Sequence, residues 1–232
     1  MLKLTRDSDA VRVDELVRHS SMGLCAAEEL LKDLKSRGLA DIRDDLVSVR
    51  SEGRLELALQ LISAGVDPES VSKTLAWGEF EDLVSRILEL CDYFTLRHTI
   101  VKNGRKRYEI DVVAAKKPVI LCMDCKHWKR SWLRSAYSEV VKKQVERTRA
   151  LSLPINLSRK LDVKGWKWAD LFPVVVTLSP TPIIMFNDVP VVSIYKLGGF
   201  LREFESHRYT LKKIRVEWEG HDEGDRSVWE RA

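Results

Sequence analysis

Residues 108–128 read YEIDVVAAKKPVILCMDCKHW, and the alternation within them decides the fold. YEIDVVAA and VILCMDCKHW are rich in β-branched and apolar residues and flank KKP, a turn sequence, so they predict two consecutive strands. Side chains along a strand point alternately to its two faces. On the second strand Cys122, Asp124 and Lys126 therefore share one face, and Met123 and Cys125 share the other. On the first, Glu109 and Asp111 point one way while Ile110 and Val112 point the other. Antiparallel pairing across KKP brings Asp111 and Asp124, 13 positions apart, to one end of the sheet. A carboxylate pair beside a lysine is costly to embed in apolar strands unless a metal or a substrate uses it.

The elements on either side extend this pattern. Upstream, WGEFEDLVSRILELCDYF has the period of an amphipathic helix with Phe80, Leu83, Val84, Ile87, Leu88 and Cys91 inward. TLRHTIV is strand-like, and KNGRKR supplies an Asn-Gly turn. Downstream, RSAYSEVVKKQVERTRALS returns to helix, FPVVVTLS and VPVVSIYKL read as strands from a sheet interior, and GGFLREFES closes as a helix. The expected order is α-β-β-β-α-β-β-α over residues 76–214, with 158–170 and 179–188 as loops and 215–232 as an acidic, flexible tail. Residues 1–52 read as two helices and a hairpin centred on Asp44-Asp45, a winged-helix-like module. In its second helix Leu24, Ala27, Leu30, Leu31 and Leu34 form one face, and Gly38 is the stop. Glu28, Glu29 and Asp33 on that helix would repel phosphate, which favours packing or dimerisation over base reading. Residues 53–75 form a helical connector in which Gly65 ends one helix and Asp67, Pro68 and Glu69 start the next.

Phosphodiester hydrolysis calls for the residue types gathered on the central strands. Two carboxylates can hold magnesium, with manganese as a substitute, which neutralises the scissile phosphate and acidifies a bound water. A lysine ammonium can orient that water and stabilise charge on the phosphoryl oxygens. Glu81 on the preceding helix is the candidate third acid. Glu79 is the runner-up, about 200° away around the helix. Cys122 and Cys125 resemble a zinc half-site, but strand parity separates their thiols and no second Cys/His pair follows at suitable spacing.

Phe80-Glu81 on a helix, Glu109-Ile110-Asp111 on a strand and Asp124-Cys125-Lys126-His127-Trp128 on the next resemble the PD-(D/E)xK nuclease superfamily. The likeness is to its Mrr-type restriction-endonuclease-like branch and to archaeal Holliday junction resolvases, and it covers roughly residues 76–205. It implies an α/β fold with a mixed central sheet flanked by helices, and magnesium-dependent DNA cleavage. Asp111 and Asp124 would be metal ligands, Lys126 the catalytic lysine and Glu81 an auxiliary acid that also reaches the metal. Glu109 is a further auxiliary candidate, and Gln144 is similar to a glutamine that some branches place beside the site. Two features depart from the pattern: Asp124 stands where Glu is commoner, and GRKRYE replaces a glycine-rich lead-in.

Charge distribution agrees with a polyanionic substrate. Residues 98–150 hold fourteen Lys/Arg against five Asp/Glu, whereas residues 1–50 hold nine against ten. Lys102, Arg105, Lys106 and Arg107 on one side of the site, with Lys129, Arg130 and Arg134 on the other, are the expected phosphate contacts. Trp128 and Trp132 could stack on exposed bases. The expected partners are DNA and, because cutting both strands needs two sites, a second copy of the chain. A nuclease fold that binds DNA without cutting it, or one that cuts RNA, single strands or branched DNA, stays open at this level. No apolar run reaches the ~18–20 residues of a membrane span, and the charged start MLKLTRDSDAVRVDE lacks a signal-peptide core, so the expected location is the cytoplasm. Four scattered cysteines exclude a disulfide scaffold. Only five amide side chains amid 32% charged residues is the compositional bias of heat-stable proteins.

Overall fold

The computed structural model describes residues 1–6, 10–20, 22–126, 134–178 and 181–218. The chain divides into two units, Met1–Val84 and Ser85–Ala232. The first begins with β1 (Val11–Arg12), α1 (Val13–Arg18), α2 (Leu24–Ser36), β2 (Asp41–Arg43) and β3 (Leu46–Ser48). Asp44 and Asp45 join β2 to β3 with φ of 47° and 64°. Both are left-handed, the geometry of a two-residue hairpin turn, and Asp tolerates it better than most L-residues. The small antiparallel sheet runs β1-β3-β2 and packs Val11, Val47 and Val49 against Leu16, Leu31 and Leu34. On α2 the buried stripe is Ala27, Leu31 and Leu34. Leu24 and Leu30, read as inward, are exposed, Leu24 by 55%. The stripe is narrower than the leucine pattern because the sheet beneath it has only three short strands.

Next come α3 (Ser51–Ser63), α4 (Pro68–Ser72) and α5 (Trp77–Glu89). Asp67 starts α4 as expected, its Oδ2 accepting the Ser70 N–H at 2.8 Å. Arg54 organises this region from a buried position on α3. It donates to Glu79 Oε1 (2.6 Å), Leu2 O (2.9 Å), Thr74 O (2.7 Å) and Thr5 Oγ1. The other Glu79 oxygen caps the backbone N–H of Ala76 at 2.7 Å. Glu79 is thus committed to an internal ion pair and to the start of α5.

The second unit contains β4 (Phe94–Asn103), β5 (Lys106–Lys116), β6 (Val119–Lys126), α6 (Arg134–Leu151), α7 (Pro154–Lys160), β7 (Trp168–Thr177), β8 (Met185–Phe186), β9 (Val189–Ser193), α8 (Ile194–His207) and β10 (Ile214–Glu217). The sheet order is β4-β5-β6-β7-β9-β8, with β10 also on β7. β5 is antiparallel to both β4 and β6, whereas β6, β7 and β9 are parallel, so the sheet is mixed. β6 lies along one edge of β7, and β9 and β10 share the other end to end. Ala150 and Leu151 of α6 and Leu157 of α7 pack with Cys122 and Leu171 on one face. Phe204 of α8 meets Phe172 at 5.0 Å, edge to face, on the other. The architecture is mixed α/β, a multistranded sheet flanked by helices.

Five elements of the second unit differ from the sequence expectation, β8 (Met185–Phe186) among them because it lies inside the expected loop 179–188. α7 occupies the start of the expected loop 158–170, β7 begins at Trp168, and Ile194–Leu197 form the first turn of α8 rather than the end of a strand. β10 carries ordered structure past residue 214, into the stretch read as tail. The early start of β7 and the existence of β10 share one cause. Asp170 is buried and bonded by Arg215 (2.7 and 2.9 Å) and Lys213 (3.2 Å), and Arg215 stacks over Trp168 at 4.1 Å.

Candidate active site

β5 and β6 meet as their residues predict, in an antiparallel ladder whose last registered pair at this end is Val112↔Met123. One step further along the same register sets Asp111 opposite Asp124. There the ladder gives way to side-chain bonding, and Asp111 Oδ2 accepts the Cys125 N–H at 2.8 Å. Burial first, and then the adjacent Asp124 charge, push the Asp111 carboxyl above the ordinary carboxylate range; the Cys125 N–H, Lys126 and Arg147 oppose the shift.

Asp124 is 0% exposed. Its Oδ1 accepts from Lys126 Nζ at 2.8 Å and from Nη1 of Arg147 on α6. Its Oδ2 is buried with no hydrogen-bond partner among the described residues. Lys126 also donates to the Cys125 carbonyl at 3.2 Å, and its side chain stays 27% exposed, so the ammonium sits at the boundary of core and solvent. Gln144 is fully buried and donates Nε2 to the Cys122 carbonyl at 2.6 Å, fastening α6 to β6 next to Asp124. It is not the surface glutamine that its polar neighbours suggest.

The other sequence candidates fall elsewhere. Glu109 is exposed and pairs with His98 at 3.2 Å, not with the nearby arginines. Glu81 lies on α5 in the first unit at 2% exposure, unlike the usual solvent-facing helical glutamate. Lys102, Arg105, Lys106 and Arg107 are exposed on the β4–β5 hairpin. In the β5–β6 register Lys126 falls opposite Glu109, so the hairpin projects beyond the end of β6, with Arg107 about 13 Å along β5 from Asp111. Lys129 and Arg130 lie outside the described residues, as do His127, Trp128 and Trp132. Arg134 opens α6, but its side chain is not described.

Sequence reasoning missed three neighbours. Arg147 is a full helical turn beyond Gln144, and that spacing is the signal that could have found it. His98 falls opposite Asp111 in the β4–β5 register, interrupts the pairing there and takes φ 48°, an uncommon conformation for a non-glycine residue and one that clusters at functional sites. Asn156 donates Nδ2 to the carbonyls of Lys102 (2.8 Å) and Ala150 (2.6 Å), tying the basic hairpin to the α6–α7 turn. Cys122 is buried, with its thiol pushed up to about 12 by desolvation, which makes it a small apolar filler.

Among the described residues no group of three or more His, Cys, Asp or Glu side chains could hold a metal. Two adjacent carboxylates, one with a buried oxygen unbonded among the described residues, are donors that could hold an ion such as magnesium. That ion keeps several waters and is commonly bound through one or two carboxylates.

A mixed α/β domain carrying a buried carboxylate–lysine–arginine cluster is the class these features define. No family profile matches the chain. Over 127 residues, 55% of this chain and 90% of the relative, it is 35% identical to an uncharacterized protein of Archaeoglobus fulgidus, and the chain belongs to the same family as that archaeal protein. Among solved structures, the protein VC1899 from Vibrio cholerae matches at TM-score 0.39 and 12% identity over 87% of this chain and 46% of its own. AF1548, a protein of unknown function, matches at 0.33 and 18% over 54% and 65%. Can2 from Sulfobacillus thermosulfidooxidans, solved in complex with cyclic tetra-adenylate, matches at 0.34 and 12% over 81% and 46%. The chain thus spans less than half of VC1899 and of Can2, and all three superpositions are too loose to assign a fold family or an activity. Among the described residues no helix is long and apolar enough to cross a membrane.

Proposed function

We propose that the chain is a magnesium-dependent endonuclease of the PD-(D/E)xK superfamily that hydrolyses DNA phosphodiester bonds. In this reading residues 76–214 are a restriction-endonuclease-like domain, residues 1–52 a winged-helix-like module and residues 53–75 a helical connector. One observation carries the proposal: Asp111 and Asp124 face each other across β5 and β6, and the fully buried Asp124 leaves one oxygen unbonded among the described residues. Beyond the bonds these carboxylates accept from Cys125, Lys126 and Arg147, setting them side by side opposes the fold. Two like charges side by side repel, and a buried carboxylate oxygen without a donor costs about 1–3 kcal/mol or more. Function is the physical reason to retain it.

Asp111 and Asp124 would hold magnesium or manganese, and Glu81 takes its auxiliary role from motif order alone. A bound divalent ion supplies charge neutralisation at the scissile phosphate and an acidified water. Lys126, anchored on Asp124 and partly open to solvent, would orient the attacking water and stabilise charge on the phosphoryl oxygens. The exposed hairpin Lys102–Arg107, braced by Asn156, would neutralise phosphates of the flanking duplex. Cleavage of both strands would use a two-fold dimer.

The test is incubation with supercoiled plasmid, single-stranded DNA, a four-way junction and RNA, in magnesium and in EDTA, beside Asp111→Ala and Lys126→Ala. The expected result is magnesium-dependent cutting of DNA, lost in both variants. Cutting that survives EDTA or either substitution rules out the mechanism. A second reading has its own support. Oδ1 of Asp124 is already engaged by two cations, as in a nuclease fold retained for binding alone, and binding without cleavage of any substrate would favour it.

A further inference from the structure

Asp124 is bonded asymmetrically. Its Oδ1 carries both the Lys126 ammonium and the Arg147 guanidinium, while Oδ2 carries nothing among the described residues. The two cations together offset the charges of Asp124 and the adjacent Asp111, yet both bond the same oxygen. The two differ in kind. Lys126 is two residues along the same strand, a point charge on a flexible stem. Arg147 comes from α6, the helix between β6 and β7, which Gln144 fixes against β6. A guanidinium has five N–H donors in a planar fork. Arg147 uses Nη1 on Asp124, no other acceptor among the described residues takes up the rest, and its side chain is 25% exposed. A partly solvated fork with free donors, held on a ligand carboxylate, has the chemistry of a phosphate clamp.

We infer that Arg147 is a substrate-phosphate ligand of this site that rests on Asp124 while the carboxylates are unloaded, and so competes with a divalent cation for that carboxylate. The inference rests on the nuclease reading above. It assigns the two cations separate work: Lys126 orients water, and Arg147 grips the phosphate through paired N–H···O bonds. It also separates two properties that a merely structural arginine would lose together. Removing Arg147 frees Asp124, so cation binding tightens, while phosphate binding and turnover weaken.

The experiment measures Mn2+ binding by the electron paramagnetic resonance of the free ion, and plasmid cleavage in saturating magnesium. It compares the full chain with Arg147→Gln, Arg147→Lys and Asp124→Asn. Arg147→Gln should bind Mn2+ about tenfold more tightly, the effect of losing one close competing charge, and cut about 10²-fold more slowly. Arg147→Lys keeps the charge without the fork. It should bind Mn2+ like the wild type and still cut slowly, and it decides the question should Arg147→Gln fail to fold. Unchanged or weaker Mn2+ binding by Arg147→Gln, or full cleavage by Arg147→Lys, overturns the inference alone. Mn2+ binding by the wild type that Asp124→Asn does not reduce overturns the nuclease reading, and this inference with it.

Discussion

Asp111 carries a carboxyl that burial, and next the charge of Asp124, hold above the ordinary carboxylate range. Its ionised form is therefore disfavoured by folding. The stability it contributes is complete below the ordinary carboxylate range and is lost as pH rises through the raised value, so at pH 7 the charge opposes the fold. Asp111→Asn keeps an oxygen for the Cys125 N–H and removes that charge. It should melt at or above the wild-type temperature at pH 7 without metal, by about 2–4 °C for each kcal/mol relieved. Added magnesium should then raise the melting temperature of the wild type but not of the variant; differential scanning calorimetry with and without the ion checks both. At this scale strand parity made Asp111, Asp124 and Lys126 legible, because period-two alternation is a local property of the chain. His98 was not legible, and Arg147 was so only through its three-residue spacing from Gln144. The rotation of α6 about its own axis and the register of β4 on β5 are set by tertiary packing, which single-segment periodicity does not contain.

Elements were legible where pattern and partner are both local, as in the β2–β3 and β4–β5 hairpins. They were not where a distant segment completes them, as β10 does for the start of β7. Asp170 shows the cost of missing such a partner. Burial alone would raise its carboxyl, but the bonds from Arg215 and Lys213 outweigh burial and hold it below the ordinary range. That contribution is present above the ordinary carboxylate range and is lost as pH falls through the depressed value. Asp170→Asn should cost about 1–2 kcal/mol in urea denaturation at pH 7, a figure reduced because both cations are partly solvated. The deficit should shrink near pH 3. In α3, Gly53 packs so closely that an added Cβ would sit 2.1 Å from the Leu39 carbonyl oxygen. Alanine favours helix by about 1 kcal/mol, but that clash is worth up to about 3 kcal/mol. Gly53→Ala should therefore be destabilising, by about 2 kcal/mol, and a melting curve with the opposite sign would contradict the packing described.

Across the whole molecule, four residues of the basic middle, Lys102, Arg105, Lys106 and Arg107, stand on an exposed arm, the β4–β5 hairpin, which Asn156 ties to the α6–α7 turn. If that arm tracks a phosphate backbone, DNA affinity should fall steeply with salt. Replacing Arg105 and Arg107 by Ala should then flatten the log–log slope by about 0.9 for each phosphate no longer neutralised. Binding that ignores both salt and these substitutions would remove the arm from the interface. The mixed α/β class and the carboxylate pair were both readable in the sequence, whereas the choice among the nucleic acids proposed as substrate was not, because phosphate chemistry is common to all of them. The most direct measurement is therefore nicking of supercoiled plasmid by wild type and Asp124→Asn, each in magnesium and in EDTA. Nicking should occur only with the wild type in magnesium. Equal nicking by Asp124→Asn, or nicking in EDTA, would contradict metal-dependent catalysis at the Asp111–Asp124 pair.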